Sequence, residues 1–198
     1  MAERINLYTA SRNPRRKGLS DAKKRLYRTR AFYVILILVS VVLQNTPHLF
    51  PTILGAHAWL LLPLSVCISM FERNLSAGVF AILAGAFWDV ATAKGDGFYA
   101  IFFLVTSTVV CVLMTYLFRN NLVTALLLSA AVILLFCVVH WLLFVLVRGN
   151  GTSLFLTFYL PSALYTFLFT PVYYVIIRKR LRALRDRYPK REFDYENA

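Results

Sequence analysis

Long apolar runs separated by short polar breaks organise this chain. The runs cover about 27–45, 54–71, 75–92, 98–118, 122–147 and 153–177. A bilayer core takes about 20 apolar helical residues, with a range of about 17–25, so the pattern predicts an all-α integral membrane protein of about six transmembrane helices. The breaks carry the turn residues: Thr46-Pro47-His48 through Pro51, Glu72-Arg73-Asn74, Ala93 to Gly97, Arg119-Asn120-Asn121, and Arg148 to Gly151. Pro47, His48, Pro51 and Gly55 interrupt the apolar run between the first two spans. Pro161 and Pro171 are expected to bend the sixth.

Composition sharpens this reading. Of 198 residues, 59% are hydrophobic and 16% charged, against about 25% charged in soluble domains. Residues 1–30 hold 10 of the 22 Lys/Arg and 178–198 hold 8, which leaves Arg73, Lys94, Arg119 and Arg148 for everything between. So few charges cannot dress a soluble globule, and a soluble enzyme or a secreted disulfide domain is excluded. The net charge of +13 lies in two blocks that abut apolar spans, so it speaks of membrane topology and anionic headgroups rather than of nucleic acid. An even number of spans puts both termini on one side, and the positive-inside rule makes that side the cytoplasm. The expected organisation is a basic cytoplasmic arm over 1–26, flexible over its first 20 residues, a six-helix domain over 27–178 and a cytoplasmic tail over 179–198, with 181–188 continuing the sixth span as a basic helix. Lys23, Lys24, Arg25, Arg28 and Arg30 are the candidates for holding orientation and gripping anionic lipid.

Candidate chemistry is sparse. Cys67, Cys111 and Cys137 are far apart in apolar runs and read as small hydrophobes. His48, His57 and His140 have no metal-ligand spacing, and no G-x-S-x-G, H-E-x-x-H, Walker A or G-x-G-x-x-G motif occurs. No enzyme activity, metal or cofactor is expected. The absence of a polar ladder across several helices argues against a channel or proton pump. Ala77, Ala81, Gly85 and Asp89 repeat at i, i+4, i+8, i+12 and share one face of the third span. Small residues let a second helix approach closely, and Asp89 is the only acid expected inside a span. Two uses stay open: internal packing, with Asp89 serving the Gly95/Gly97 turn, or an anchor for a partner helix. Gln44, Thr46 and His140 are structural or polar candidates, and an Asp89–His140 pair is geometrically allowed.

These residues resemble a family. Leu43-Gln44-Asn45-Thr46, then Met70-Phe71-Glu72-Arg73, Ala77-Gly78-Val79-Phe80, Ala84-Gly85-Ala86-Phe87-Trp88-Asp89 and Gly97-Phe98-Tyr99-Ala100 are similar to the pattern of the rod shape-determining MreD family. The motif covers about 43–100, and the hydropathy pattern covers the whole chain. The basic arm is longer than is usual in that family, and Ala81 stands where a bulkier residue or glycine is typical. The resemblance implies a non-enzymatic component of the wall-elongation machinery in the bacterial plasma membrane. It would bind a bitopic MreC-like partner through transmembrane helices, alongside an MreB-like filament, a SEDS glycosyltransferase and a class B penicillin-binding protein. Ala77, Ala81, Gly85, Asp89 and Gly97 become the partner-binding candidates. It also implies a compact bundle like the S components of energy-coupling-factor transporters.

That shared fold makes a vitamin- or small-molecule-binding S component the rival reading. An S component should gather polar pocket residues from several helices near the outside. It should also carry a small-xxx-small strip on the first span, where residues 32–43 offer only Ser40. On the scaffold reading, Gly85→Leu and Asp89→Ala are expected to spare insertion while weakening partner capture.

Overall fold

Prolines mark where four of the helices begin. In the computed structural model, residues 14–46, 58–72, 74–92, 97–118, 120–143 and 159–187 are described, with side chains from Lys23 onward and not that of Asn74. They form seven helices: α1 (Pro14–Asn45), α2 (Leu61–Phe71), α3 (Asn74–Ala91), α4 (Phe98–Tyr116), α5 (Leu122–Trp141), α6 (Leu160–Leu168) and α7 (Thr170–Arg187). Pro14, Pro63, Pro161 and Pro171 all lie in the first turn of a helix. There the missing N–H removes no intrahelical bond and the fixed φ suits the turn.

The described residues are all-helical or in turns, without strands. Four stretches are long and apolar enough to cross a membrane: Lys23–Asn45, Phe98–Tyr116, Leu122–Trp141 and Leu160–Arg187. Two expected spans are shorter. α3 is apolar over Leu75–Ala91, and α2 has 11 residues, about 17 Å at 1.5 Å per residue. The expected start of the second span at 54, the turns at 93–96 and 148–151, and all of 144–158 lie outside the described residues. So do the expected tail end at 188–198 and the first 13 residues of the arm.

The sixth expected span holds both α6 and α7, which meet at the single residue Phe169, itself still in the right-handed helical region at φ −82°, ψ −14°. α6 ends at Leu168, and the Phe169 N–H turns back to the Thr166 carbonyl at 3.1 Å. Pro171 has no N–H with which to continue the ladder, and the Tyr173 N–H resumes it by donating to the Phe169 carbonyl at 3.1 Å. α7 then runs on through the basic residues to Arg187. At the other end of the chain, 14–26 is already helical as part of α1, where a flexible arm was expected up to residue 20.

The chain divides into two units. One unit is the chain's ends, Met1–Phe32 with Lys179–Ala198. In it the Arg180 guanidinium lies over the Phe32 ring at 5.6 Å, and Thr29 and Leu184 are buried. Lys23, Lys24, Arg28 and Arg30 are exposed there, and Arg25 is half-buried.

The other unit, Tyr33–Arg178, is built around α2. Every residue from Leu61 to Met70 is buried, and α3, α4, α5 and α6 all pack on α2. A helix that is apolar on all sides is a core helix. Its few hydroxyls are satisfied locally: Ser65 Oγ donates to the Leu62 carbonyl at 2.8 Å, and Ser69 Oγ meets Ser107 Oγ at 2.7 Å. α1 joins this unit through Tyr33, Ile37 and Ser40, one buried face at i, i+4, i+7. Ser40 Oγ lies 2.9 Å from Tyr173 Oη, and the Tyr33 ring meets Phe80 edge-on. The three cysteines are free and buried.

Candidate functional site

The C-terminal ends of α1, α3 and α5 meet the N-terminal ends of α2, α4 and α6 at one end of this unit. The α3–α4 hairpin sets the geometry. Gly97 closes the turn with φ +67°, a left-handed conformation that glycine enters without a Cβ penalty. Gly97 is also the N-cap of α4, so the cap position has no side chain with which to bind the first free N–H groups. Asp89 supplies the acceptor from α3 instead. The Tyr99 N–H donates to Asp89 Oδ1 at 3.3 Å, and the Ala100 N–H donates to Oδ2 at 3.0 Å. These are the second and third residues of α4, the groups that an N-cap Asp would bind. The carboxylate is 7% exposed, so its charge needs this compensation from N–H groups and from the positive end of the α4 dipole.

Gly85, one turn before Asp89, lets the two helices close together. A Cβ on Gly85 would run into Ala100 Cα and would come 2.6 Å from the Tyr99 carbonyl oxygen. Ala77 and Ala81 are buried within the chain as well. The strip that sequence offers for a partner helix is therefore occupied by the protein's own elements, with α4 on Gly85. Direct contact of a partner at Gly85 or Asp89 would require α4 to leave.

Beside this hairpin lies a cavity of about 220 Å³. Phe136 on α5 is central among its rings, with Trp59 5.1 Å, Trp88 5.6 Å, Tyr99 6.1 Å and His140 5.4 Å away between centroids. Trp88 and Tyr99 stack on each other at 4.8 Å with 4° between planes. His140 joins two helix starts: its Nδ1 lies 2.8 Å from Tyr159 Oη and its Nε2 3.3 Å from Tyr99 Oη. A neutral imidazole offers one donor and one acceptor, and hydroxyls can serve as either, so rotating the two tyrosine hydroxyls satisfies whichever tautomer is present. Gln44, Asn45 and Thr92 complete the polar part of the lining. Gln44 Oε1 also accepts the Leu61 N–H at the start of α2, at 3.3 Å. Thr46, by contrast, is exposed and turns its hydroxyl back on the Val42 carbonyl of its own helix.

Gln44, Gly85, Asp89, Gly97 and His140 thus come together at one end of the helical unit. Tyr99 connects Asp89 to His140, through its backbone N–H on one side and its hydroxyl on the other. The direct Asp89–His140 pair allowed by the sequence is replaced by this relay through Tyr99. Trp59, Phe136 and Tyr159 are the residues that sequence reasoning missed. Each is one aromatic inside an apolar stretch and carries no local pattern. Among the described residues, no group of three or more His, Cys, Asp or Glu side chains is placed to hold a metal ion. Among the described residues, the cavity lining contains no Lys, Arg, Asp or Glu. The arrangement can position helices and enclose a small molecule. Comparison with protein-family models, curated proteins and solved structures yields no match.

Proposed function

We propose that this chain is a non-enzymatic membrane scaffold of the bacterial wall-elongation machinery, of the MreD kind. On this reading it crosses the plasma membrane six times with both termini in the cytoplasm, and it presents its helices to a bitopic MreC-like partner. That partner links it to an assembly with an MreB-like filament, a SEDS glycosyltransferase and a class B penicillin-binding protein. The observation that carries the reading is the use this chain makes of the residues behind the family resemblance. Gln44 holds the start of α2, Asp89 holds the start of α4, Gly85 sets the α3–α4 approach and Gly97 makes the turn. Each has a positional job, which suits a protein that works by holding helices in a fixed arrangement. The small-residue strip then affects partner capture through the shape of the α3–α4 hairpin rather than by touching the partner.

Depletion of the protein in its host tests this reading. Rods should round up, with growth otherwise continuing. Rods that keep their shape after full depletion would count against the scaffold.

One observation favours the second reading, an S component that binds a small molecule. The cavity draws Gln44, Trp59, Thr92, Tyr99, His140 and Tyr159 from six parts of the chain, at the end that the charge pattern places outside. Against it, the one small residue in the 32–43 stretch of α1, Ser40, is buried and bonded to Tyr173. A docking strip for a coupling subunit would need small residues on an open face. Co-purification of a transporter coupling subunit and ATPases would favour this second reading.

A further inference from the structure

We infer that residues 25–32 of α1 and 180–187 of α7 form one binding site for an anionic glycerophospholipid whose headgroup carries two phosphates. The inference rests on the membrane-spanning part of the reading above and is independent of the wall-elongation partners.

The site lies within the unit made by the chain's ends. On α1, Arg25, Arg28, Thr29 and Phe32 share one face at i, i+3, i+4 and i+7. On α7, Arg180, Leu184 and Arg187 share a face at i, i+4 and i+7. The Arg180 guanidinium over the Phe32 ring brings these two faces together, and Thr29 and Leu184 are buried on them. The seam therefore carries two arginines from each helix. A guanidinium over a ring keeps its N–H groups along its edge, where two of them match two oxygens of a phosphate. Two pairs of arginines on neighbouring helices suit two phosphates joined by a short linker better than one phosphate. Basic pockets between helices at the cytoplasmic face bind headgroups of this kind. Over 1–32 and 179–198 the sequence holds 17 Lys/Arg and 6 Asp/Glu, so the unit stays strongly positive whichever way its acids turn. A lipid suits this surface better than an acidic protein does. The same stretch of α1 exposes Leu26 and Tyr27 among its cations, and tyrosine beside apolar and basic residues belongs at the headgroup level. Both helices also belong to stretches long and apolar enough to cross a membrane, Lys23–Asn45 and Leu160–Arg187.

The test uses the full chain in micelles of a neutral detergent, with native mass spectrometry counting the lipids that stay bound. Cardiolipin is the two-phosphate probe. Phosphatidylglycerol, with one phosphate, is compared at matched phosphate concentration. One cardiolipin should bind per chain, about tenfold more tightly than phosphatidylglycerol. Arg25→Gln combined with Arg180→Gln should erase that preference. Arg182→Gln combined with Arg185→Gln removes the same charge from exposed positions off the seam and should keep it. Elution and circular dichroism show whether each variant is folded. If the seam variant is not, the two-lipid comparison on the unaltered protein decides. Equal binding of the two lipids per phosphate would overturn the two-phosphate site and leave only diffuse attraction. Loss of the preference in both double variants would overturn the assignment to the seam. Two soluble competitors test the other occupants. A ten-residue glutamate peptide that displaces cardiolipin at equal concentration would overturn the lipid in favour of an acidic protein. Glycerol-1,3-bisphosphate, the headgroup without its chains, would overturn it in favour of a free bisphosphate if it did the same. Every one of these failures would leave the rounding of depleted rods, and so the scaffold reading, as it stands.

Discussion

Gly85 on α3 lies directly against the backbone of Ala100 on α4. A Cβ at residue 85 would also meet the Ala100 nitrogen at 2.7 Å. Because the opposing atoms are main chain, they cannot swing aside as a flexible side chain would. Overpacking of this kind commonly costs about 1–3 kcal/mol. Gly85→Ala should therefore lower the unfolding temperature in detergent by several degrees, and Gly85→Leu should reduce the yield of folded protein. Sequence alone leads to the expectation that a bulky residue here spares insertion; the close approach to Ala100 adds a cost in helix packing. A Gly85→Leu protein as stable as the parent would show that α3 and α4 stand further apart.

Asp89 makes a second prediction. Its two oxygens bind two N–H groups of α4, and losing an N-cap acceptor costs about 0.5–2 kcal/mol. Asp89→Ala should destabilise by this order, and Asp89→Asn, which keeps one carbonyl oxygen, should recover about half. Thermal unfolding of the three proteins at matched detergent concentration checks the order. Equal stability of the Ala and Asn variants would contradict the capping role.

Gly97 makes a third. Its φ of +67° suits glycine, while nothing lies within 4 Å of a Cβ built there. Substitution is therefore penalised by backbone conformation alone. Gly97→Ala should cost about 1 kcal/mol, and Gly97→Asn less, because asparagine tolerates the left-handed region better. Should alanine be tolerated as well as asparagine, the turn has another conformation.

A fourth concerns the hydroxyls on His140. Tyr159 Oη lies at 2.8 Å and Tyr99 Oη at 3.3 Å. A net hydrogen bond is worth about 0.5–1.5 kcal/mol, and the shorter one should be the stronger. Tyr159→Phe should lower stability more than Tyr99→Phe, and a double-mutant cycle with His140→Phe should show coupling for Tyr159. Additive effects would mean that the two side chains do not interact.

Much of this architecture was legible in the sequence, for reasons that can be named. The i+4 spacing of Ala77, Ala81, Gly85 and Asp89 placed them on one face, because a helix repeats every 3.6 residues whatever surrounds it. The spacing could not say what covers that face. The answer lies in Ala100, on the far side of a turn. Hydropathy marked the apolar runs but not the first residue of each helix: α2 starts at Leu61, although Ala58, Trp59 and Leu60 just before it are hydrophobic too. Pro63, Pro161 and Pro171 carried that information, because a proline is easiest to place in a first turn. The aromatic cavity was hidden because Trp59, Phe136 and Tyr159 are far apart in sequence and meet only when α5 packs against α2 and α6.

The scaffold reading is tested most directly by capturing the protein from its native membrane in mild detergent and identifying the membrane proteins that come with it. The account predicts an MreC-like bitopic protein, recovered in constant ratio from the unaltered chain and in lower yield from Gly85→Ala at matched protein level. Recovery of transporter coupling subunits and ATPases, with no bitopic wall-elongation partner, would contradict it.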